Sequence, residues 1–128
     1  MPIPIHKKVS YNAAGGPLSV NVVFDTLMVC TYQLILRENG SNATVIDITG
    51  DNANDQDDTY QLPGQARENN GRILWAYMTV IKQNEKGGNY QLGIEIYQDG
   101  QKIDSIMTKS KRITGNNVTE ILIFKFSC

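Results

Sequence analysis

Cysteine is scarce in this chain of 128 residues, which contains only Cys30 and Cys128. Two cysteines are too few for a disulfide scaffold, and their pairing would need Cα atoms within about 7 Å of each other, which the sequence leaves open. We expect Cys30 to be a small buried hydrophobe and Cys128 a free thiol. No apolar run approaches the ~20 residues that a membrane-spanning helix needs. Residues 1–8 lack the apolar region of a signal peptide, which favours a cytoplasmic location.

The chain also has little that could support catalysis. Its only histidine is His6, and it has no Cys-x-x-Cys or His-Glu-x-x-His motif and no glycine loop that would cradle phosphates. The net charge of −1 creates no overall field that would attract nucleic acid. The basic residues of 109–112 have no interleaved aromatic residues that could stack on bases. We therefore expect neither an enzyme nor a nucleic-acid-binding protein.

Hydrophobic residues recur with a period of two, interrupted at short intervals by turn residues, which is typical of β-strands. The predicted strands are 3–11, 18–25, 26–38, 44–49, 73–83, 90–98, 101–109 and 118–126. Pro2 and Pro4 place the first strand at a sheet edge, and a single helical turn is predicted within 59–71. The sequence predicts an all-β fold, a single antiparallel two-sheet β-sandwich of about eight strands over residues 1–128. A small β-barrel is the alternative.

The most specific local signal is Asp99-Gly100 between two alternating segments. This dipeptide predicts a type I′ hairpin turn, because both central residues of that turn have positive φ. In the strand that follows, Ile103 is out of phase with Ile106, which predicts a β-bulge. The hairpin unit over 90–107 resembles those of immunoglobulin- and fibronectin-type sandwiches. Such a resemblance implies an architecture and no particular activity.

An acidic loop spans residues 51–58 and is the strongest candidate for a ligand site. Its oxygen-bearing side chains are those of Asp51, Asn54, Asp55, Asp57 and Asp58. Ca²⁺ prefers six to eight oxygen ligands, and Glu68 and Asp99 are possible further donors. The spacing does not fit an EF-hand loop. The loop is therefore predicted either to bind Ca²⁺, as in C2-like sandwiches, or to be a solvated connection rich in turn-forming residues.

Charge is distributed unevenly along the chain. Residues 38–68 contain seven acids and one base, a local charge of −6, so the remainder carries +5. Basic residues cluster at Lys7-Lys8 and at Lys109, Lys111 and Arg112. Opposite patches would allow copies of the chain to associate head to tail, or would attract a charged partner. Alternatively, the charges average out over the folded surface.

Four aromatic residues, Trp75, Tyr77, Tyr90 and Tyr97, fall on predicted strands and could anchor a partner where they face outward. Trp75 has apolar neighbours on both sides and is predicted to be a core residue. We expect a non-catalytic binding or assembly module that acts through loops, edge strands or a sheet face, with a protein or a second copy as partner. The alternative is a Ca²⁺-dependent membrane- or glycan-binding domain that uses the loop 51–58.

Overall fold

The computed structural model describes residues 3–41, 43–53, 58–83 and 85–128. Within these ranges the chain forms ten strands and one short 3-10 helix. The strands are β1 (Ile5–Ser10), β2 (Leu18–Thr26), β3 (Val29–Arg37), β4 (Thr44–Asp51), β5 (Asp58–Gln61), β6 (Ile73–Ile81), β7 (Asn89–Gln98), β8 (Gln101–Met107), β9 (Lys111–Arg112) and β10 (Asn117–Ser127). The 3-10 helix is Ala66–Asn69, which confirms the predicted helical turn within 59–71.

The strands form two sheets that enclose one core. Sheet A has the order β1-β10-β6-β3-β4, and sheet B has the order β5-β2-β7-β8, with β9 also paired to β7. The all-β prediction and the two-sheet arrangement are confirmed. The predicted number of about eight strands was too low because β5 and β9 have only four and two residues. A period of two cannot be recognised over segments so short.

The first strand departs from the predicted antiparallel set. β1 pairs with β10 in parallel, with Ile5 opposite Leu122 and Val9 opposite Phe126, whereas every other pair is antiparallel in the described residues. Alternation shows which residues share a face of a strand, but it contains no information about the direction of the neighbouring strand. The predicted edge position of β1 is confirmed.

The core-facing side of β6 carries smaller residues than its outer side. Leu74, Ala76, Met78 and Val80 are fully buried between the sheets, while Trp75 is half-buried on the outer face. The prediction that Trp75 belongs to the core was therefore wrong. Both faces of β6 are apolar, so the period of two could not show which of them points inward.

The predicted type I′ turn between β7 and β8 is confirmed. Asp99 has φ 53° and Gly100 has φ 77°, the two positive values that a type I′ turn requires. The register of β7 with β8 shifts after the pair Ile96–Asp104, which leaves Ile103 as the extra residue of the predicted bulge. Cys30 is buried and Cys128 is exposed, and both are free thiols, as expected.

Candidate functional site

The acidic loop is described only at its two ends. Asp51 is the last residue of β4. Its side chain is exposed and accepts a hydrogen bond from the Ala53 amide at 3.0 Å. Asn54, Asp55 and Asp57 lie outside the described residues. Among the residues that are described, no three His, Cys, Asp or Glu side chains are arranged to hold a metal ion. The Ca²⁺ site stays a prediction.

Asp58, at the other end of the loop, takes part in a hydrogen-bond cluster between the sheets. The Tyr32 hydroxyl donates to Asp58 Oδ2 at 2.5 Å and also contacts the Tyr60 hydroxyl. Burial, followed by these hydrogen bonds, raises the pKa of Tyr32 above its usual value. The cluster joins β3 of sheet A to β5 of sheet B, so Asp58 has a clear structural role.

A second buried cluster surrounds Glu120, which lies level with Tyr32 across β6, since both residues are in register with Met78. The Glu120 side chain is 9% exposed. It accepts hydrogen bonds from Lys111 Nζ at 2.7 Å and from the Tyr90 hydroxyl at 3.2 Å. Burial, with the charge of Glu120 as the second cause, raises the pKa of Tyr90 to about 12. The cluster ties β9 and β7 to β10. Sequence reasoning missed it, although Glu120 shares the alternating inward face of its strand with Leu122 and Phe124, a position where an acid needs a partner.

The outer face of sheet B is polar, and its side chains satisfy one another. Asn21 Nδ2 donates to Glu95 Oε1 at 2.9 Å, and the Tyr97 hydroxyl donates to the same oxygen at 3.2 Å. Thr59 donates to Asn21 Oδ1 at 3.0 Å. The pKa of Glu95 is lowered chiefly by the hydrogen bond from Asn21. These four side chains therefore satisfy one another's hydrogen-bonding groups.

The outer face of sheet A is different, because aromatic and aliphatic side chains occupy its centre. Trp75 and Tyr77 stack with ring centroids 6.1 Å apart and an interplanar angle of 12°. The guanidinium carbon of Arg37 lies 5.9 Å from the centroid of the Trp75 ring, within the range of a cation–π interaction. Ile123 and Ile35 are in register with Trp75 on either side. We call these five side chains the aromatic platform.

A groove runs beside the aromatic platform toward β1. Its volume is about 320 Å³, and its lining is mainly apolar. The lining residues are His6, Lys7, Lys8, Ile73, Trp75, Ile123 and Lys125. Lys8 and Lys125 are opposite each other in the β1–β10 ladder and are both exposed. The groove therefore combines an apolar floor with a basic rim, and no acid is among its lining residues.

The opposite border of the same face is acidic. Asp47 is in register with Ile35, and Asp51 is in register with Thr31, so both acids point to the outer face from β4. Both are exposed. Sheet A thus has lysines at one border of its outer face and aspartates at the other, with the aromatic platform between them.

The predicted basic clusters are divided by the fold. Lys7 points inward from β1 and forms an ion pair with Asp104 at 2.7 Å, while Lys8 faces outward. Lys111 pairs with Glu120. Lys125 and Arg37 were not singled out from the sequence, although Lys125 stands alone between Phe124 and Phe126, an alternation that marks an outward-facing position.

No protein-family model matches this chain, and no curated protein or solved structure matches it. In the part of the chain that the structure describes, none of the helical segments has the length and apolar character needed to cross a membrane.

Proposed function

We propose that this chain is a non-catalytic binding module, and that the outer face of sheet A binds an acidic segment of a partner protein. The observation that carries the proposal is the outward-facing aromatic platform beside a groove with a basic rim. Binding on this face depends on the two-sheet architecture and not on a particular sandwich subtype. An immunoglobulin-, fibronectin- or C2-like subtype stays a prediction, and so does the Ca²⁺-dependent alternative.

The residue types support a protein partner. Trp, Tyr and Arg are the residues most enriched among those that dominate the binding energy of protein interfaces. In this chain Trp75, Tyr77 and Arg37 are adjacent on one face, where stacking holds the rings in place. A rigid aromatic surface loses little conformational entropy when a partner covers it. The aromatic platform therefore provides contact area at low entropic cost.

The charge of the rim supports an acidic ligand. Lys8 and Lys125 border the groove, and neither has a described ion pair. A peptide with alternating acidic and apolar residues would place its apolar side chains on Ile73 and Trp75, which are both half-buried, and its carboxylates near the lysines. Such rim charges act mainly on the association rate and on specificity. A nucleic acid fits less well, since the net charge is −1 and Asp47 and Asp51 border the same face.

The experiment uses the fact that Trp75 is the only tryptophan. A synthetic peptide of alternating glutamate and leucine is titrated into the protein while tryptophan fluorescence is recorded. We expect a saturable change in fluorescence, with an affinity that falls as salt is added. Tyr77→Ala and the double variant Lys8→Glu/Lys125→Glu should each weaken binding by about tenfold, a loss that corresponds to about 1.4 kcal/mol.

The matched control is Lys109→Glu, which reverses an exposed lysine on the side of sheet B. It should leave the affinity unchanged. A peptide of alternating lysine and leucine should not bind. The proposal fails if the acidic peptide leaves the fluorescence of Trp75 unchanged, if the basic peptide binds equally well, or if Lys109→Glu weakens binding as much as the rim variants do.

A further inference from the structure

β4 is an edge strand with only part of the usual protection against pairing, namely the exposed acids Asp47 and Asp51 and a bulge at Val45, where its register with β3 shifts. It has eight residues and pairs with β3 alone among the described strands. It contains no lysine and no proline, the residues that most often protect an edge. Ile46 and Ile48 point toward the core, but they remain half-buried because no strand covers them on the far side. An added strand would shield these side chains and would satisfy the free backbone groups of β4.

β1, at the other edge of sheet A, has the complementary properties. Lys8 faces outward, while Ile5, on the core side of the strand, is 38% exposed. Lys7 also points inward, and an inward-pointing charge ordinarily prevents edge pairing. Here that charge is already neutralised by Asp104 of β8, with Nζ and Oδ1 2.7 Å apart. β1 therefore presents an inner side on which the ion-paired Lys7 stands between Ile5 and Val9, and a basic outer side.

Strand directions within sheet A make the two edges compatible. β10 and β3 are both antiparallel to β6, so they run in the same direction as each other. β1 follows β10 in parallel, and β4 runs opposite to β3. The two edge strands are therefore antiparallel to each other. A second copy placed beside β4 with its sheet facing the same way would present its β1 in the antiparallel direction, which is the more stable pairing.

We propose that β4 of one copy pairs antiparallel with β1 of the next copy, so that the chain associates head to tail. When β4 of one copy and β1 of the next pair so that the outer faces of both sheets lie on the same side, Lys8 comes opposite or diagonal to Asp47 and Asp51. The inner side chains Ile46 and Ile48 then meet the side of β1 that carries Ile5. Symmetric pairing of β4 with β4 would place aspartates against aspartates, and pairing of β1 with β1 would place lysines together, so both are disfavoured.

An edge contact of six to eight residues buries less surface than a permanent interface. We expect association that becomes measurable at about 0.1–1 mM protein and that weakens as salt rises from roughly 0.01 M to roughly 1 M. Sedimentation velocity over that range tests it. Both Asp47→Lys/Asp51→Lys and Lys8→Glu should reduce the association constant by about tenfold or more, since each places like charges in opposition. Combining Lys8→Glu with Asp47→Lys/Asp51→Lys in one chain should restore association.

The matched control is Asp25→Lys, which reverses an exposed acid on the outer face of sheet B and should leave association unchanged. Far-UV circular dichroism checks the fold of each variant. If the lysine substitutions prevent folding, Asp47→Asn/Asp51→Asn replaces them, with a smaller loss expected. A wild-type chain that is monomeric at every salt and concentration overturns the proposal. So does association that persists in the reversed variants, or that the combined reversal does not restore. The peptide titration is performed at micromolar protein, so binding on the outer face and self-association can fail independently.

Discussion

The ion pair between Lys111 and Glu120 connects the two-residue strand β9 to β10, and removing it tests how much this pair contributes to the stability of the fold. Lys111→Met removes a charge whose Nζ lies 2.7 Å from Glu120 Oε1 and 3.4 Å from Oε2. The Glu120 side chain is 9% exposed, whereas that of Lys111 is 47% exposed. Breaking a fully buried pair costs about 3–5 kcal/mol, and breaking an exposed pair costs roughly 0–1 kcal/mol. With one partner buried and the other half-exposed, we expect a loss of about 2 kcal/mol.

This loss should arise from the carboxylate that remains and not from the lost lysine itself. In the Lys111→Met background, Glu120→Gln should therefore recover part of the stability, because the neutral amide can still accept the hydrogen bond from Tyr90. Urea denaturation measures the free energies of unfolding, and the melting temperature of Lys111→Met should fall by roughly 8 °C. Lys109→Met, two residues earlier and exposed, is the control. Equal stability of Lys111→Met and the wild type, or a further loss on adding Glu120→Gln, would refute the reasoning.

Two further predictions concern buried groups. The free energy of unfolding should decline above about pH 9, because burial raises the pKa of Cys30 from 9.0 to about 12 and that of Tyr90 from 10.0 to about 12. The folded state keeps these protons while the unfolded state releases them. Between the pKa of a group in the unfolded state and its pKa in the folded state, each pH unit therefore lowers the free energy of unfolding by about 1 kcal/mol. Cys30→Ala should remove the decline between pH 9 and 10, which urea titrations at each pH would detect, whereas Cys128→Ser should preserve it. Gly50→Ala should destabilise the fold by about 1–3 kcal/mol, because its Cβ would lie 2.5 Å from Cζ of Tyr32, a ring held by Asp58 and Tyr60. Thr49→Ala is the control on the exposed side of β4, and thermal melts in which the two variants match would contradict this.

Much of the fold could be predicted because strand formation has a local signature. The alternation in β2 and β7 and the positive φ of Asp99 and Gly100 follow from properties of adjacent residues. The parallel direction of β1 could not be predicted, because it depends on β10, more than 100 residues away. Likewise β5 and β9 form only because neighbouring strands supply their partners.

The candidate site was harder to predict, because it depends on which side of a strand faces solvent. Trp75, with Leu74 and Ala76 on either side, gives the same pattern whether it points inward or outward. The choice is made by packing across the whole core, where Leu74 and Ala76 lie beside Phe124 and Leu122 of β10. Arg37 and Lys125 join Trp75 only through the ladders that bring β3, β6 and β10 together. No separation along the sequence could have indicated that group.

The two proposals have a joint geometric consequence. If β4 of each copy pairs with β1 of the next, sheet A continues through the assembly and repeats after five strands, a distance of roughly 24 Å. Because neighbouring strands twist by about 20–25°, successive aromatic platforms would turn by roughly 110° about the axis of the assembly. The platforms would wind around a filament instead of lining one side of it. A flexible acidic chain that follows this path could contact several copies at once, and its avidity would then exceed the affinity of one face. A short rigid peptide would gain nothing from assembly, so comparing the two ligands above and below the concentration of self-association separates binding on the outer face from cooperation between copies.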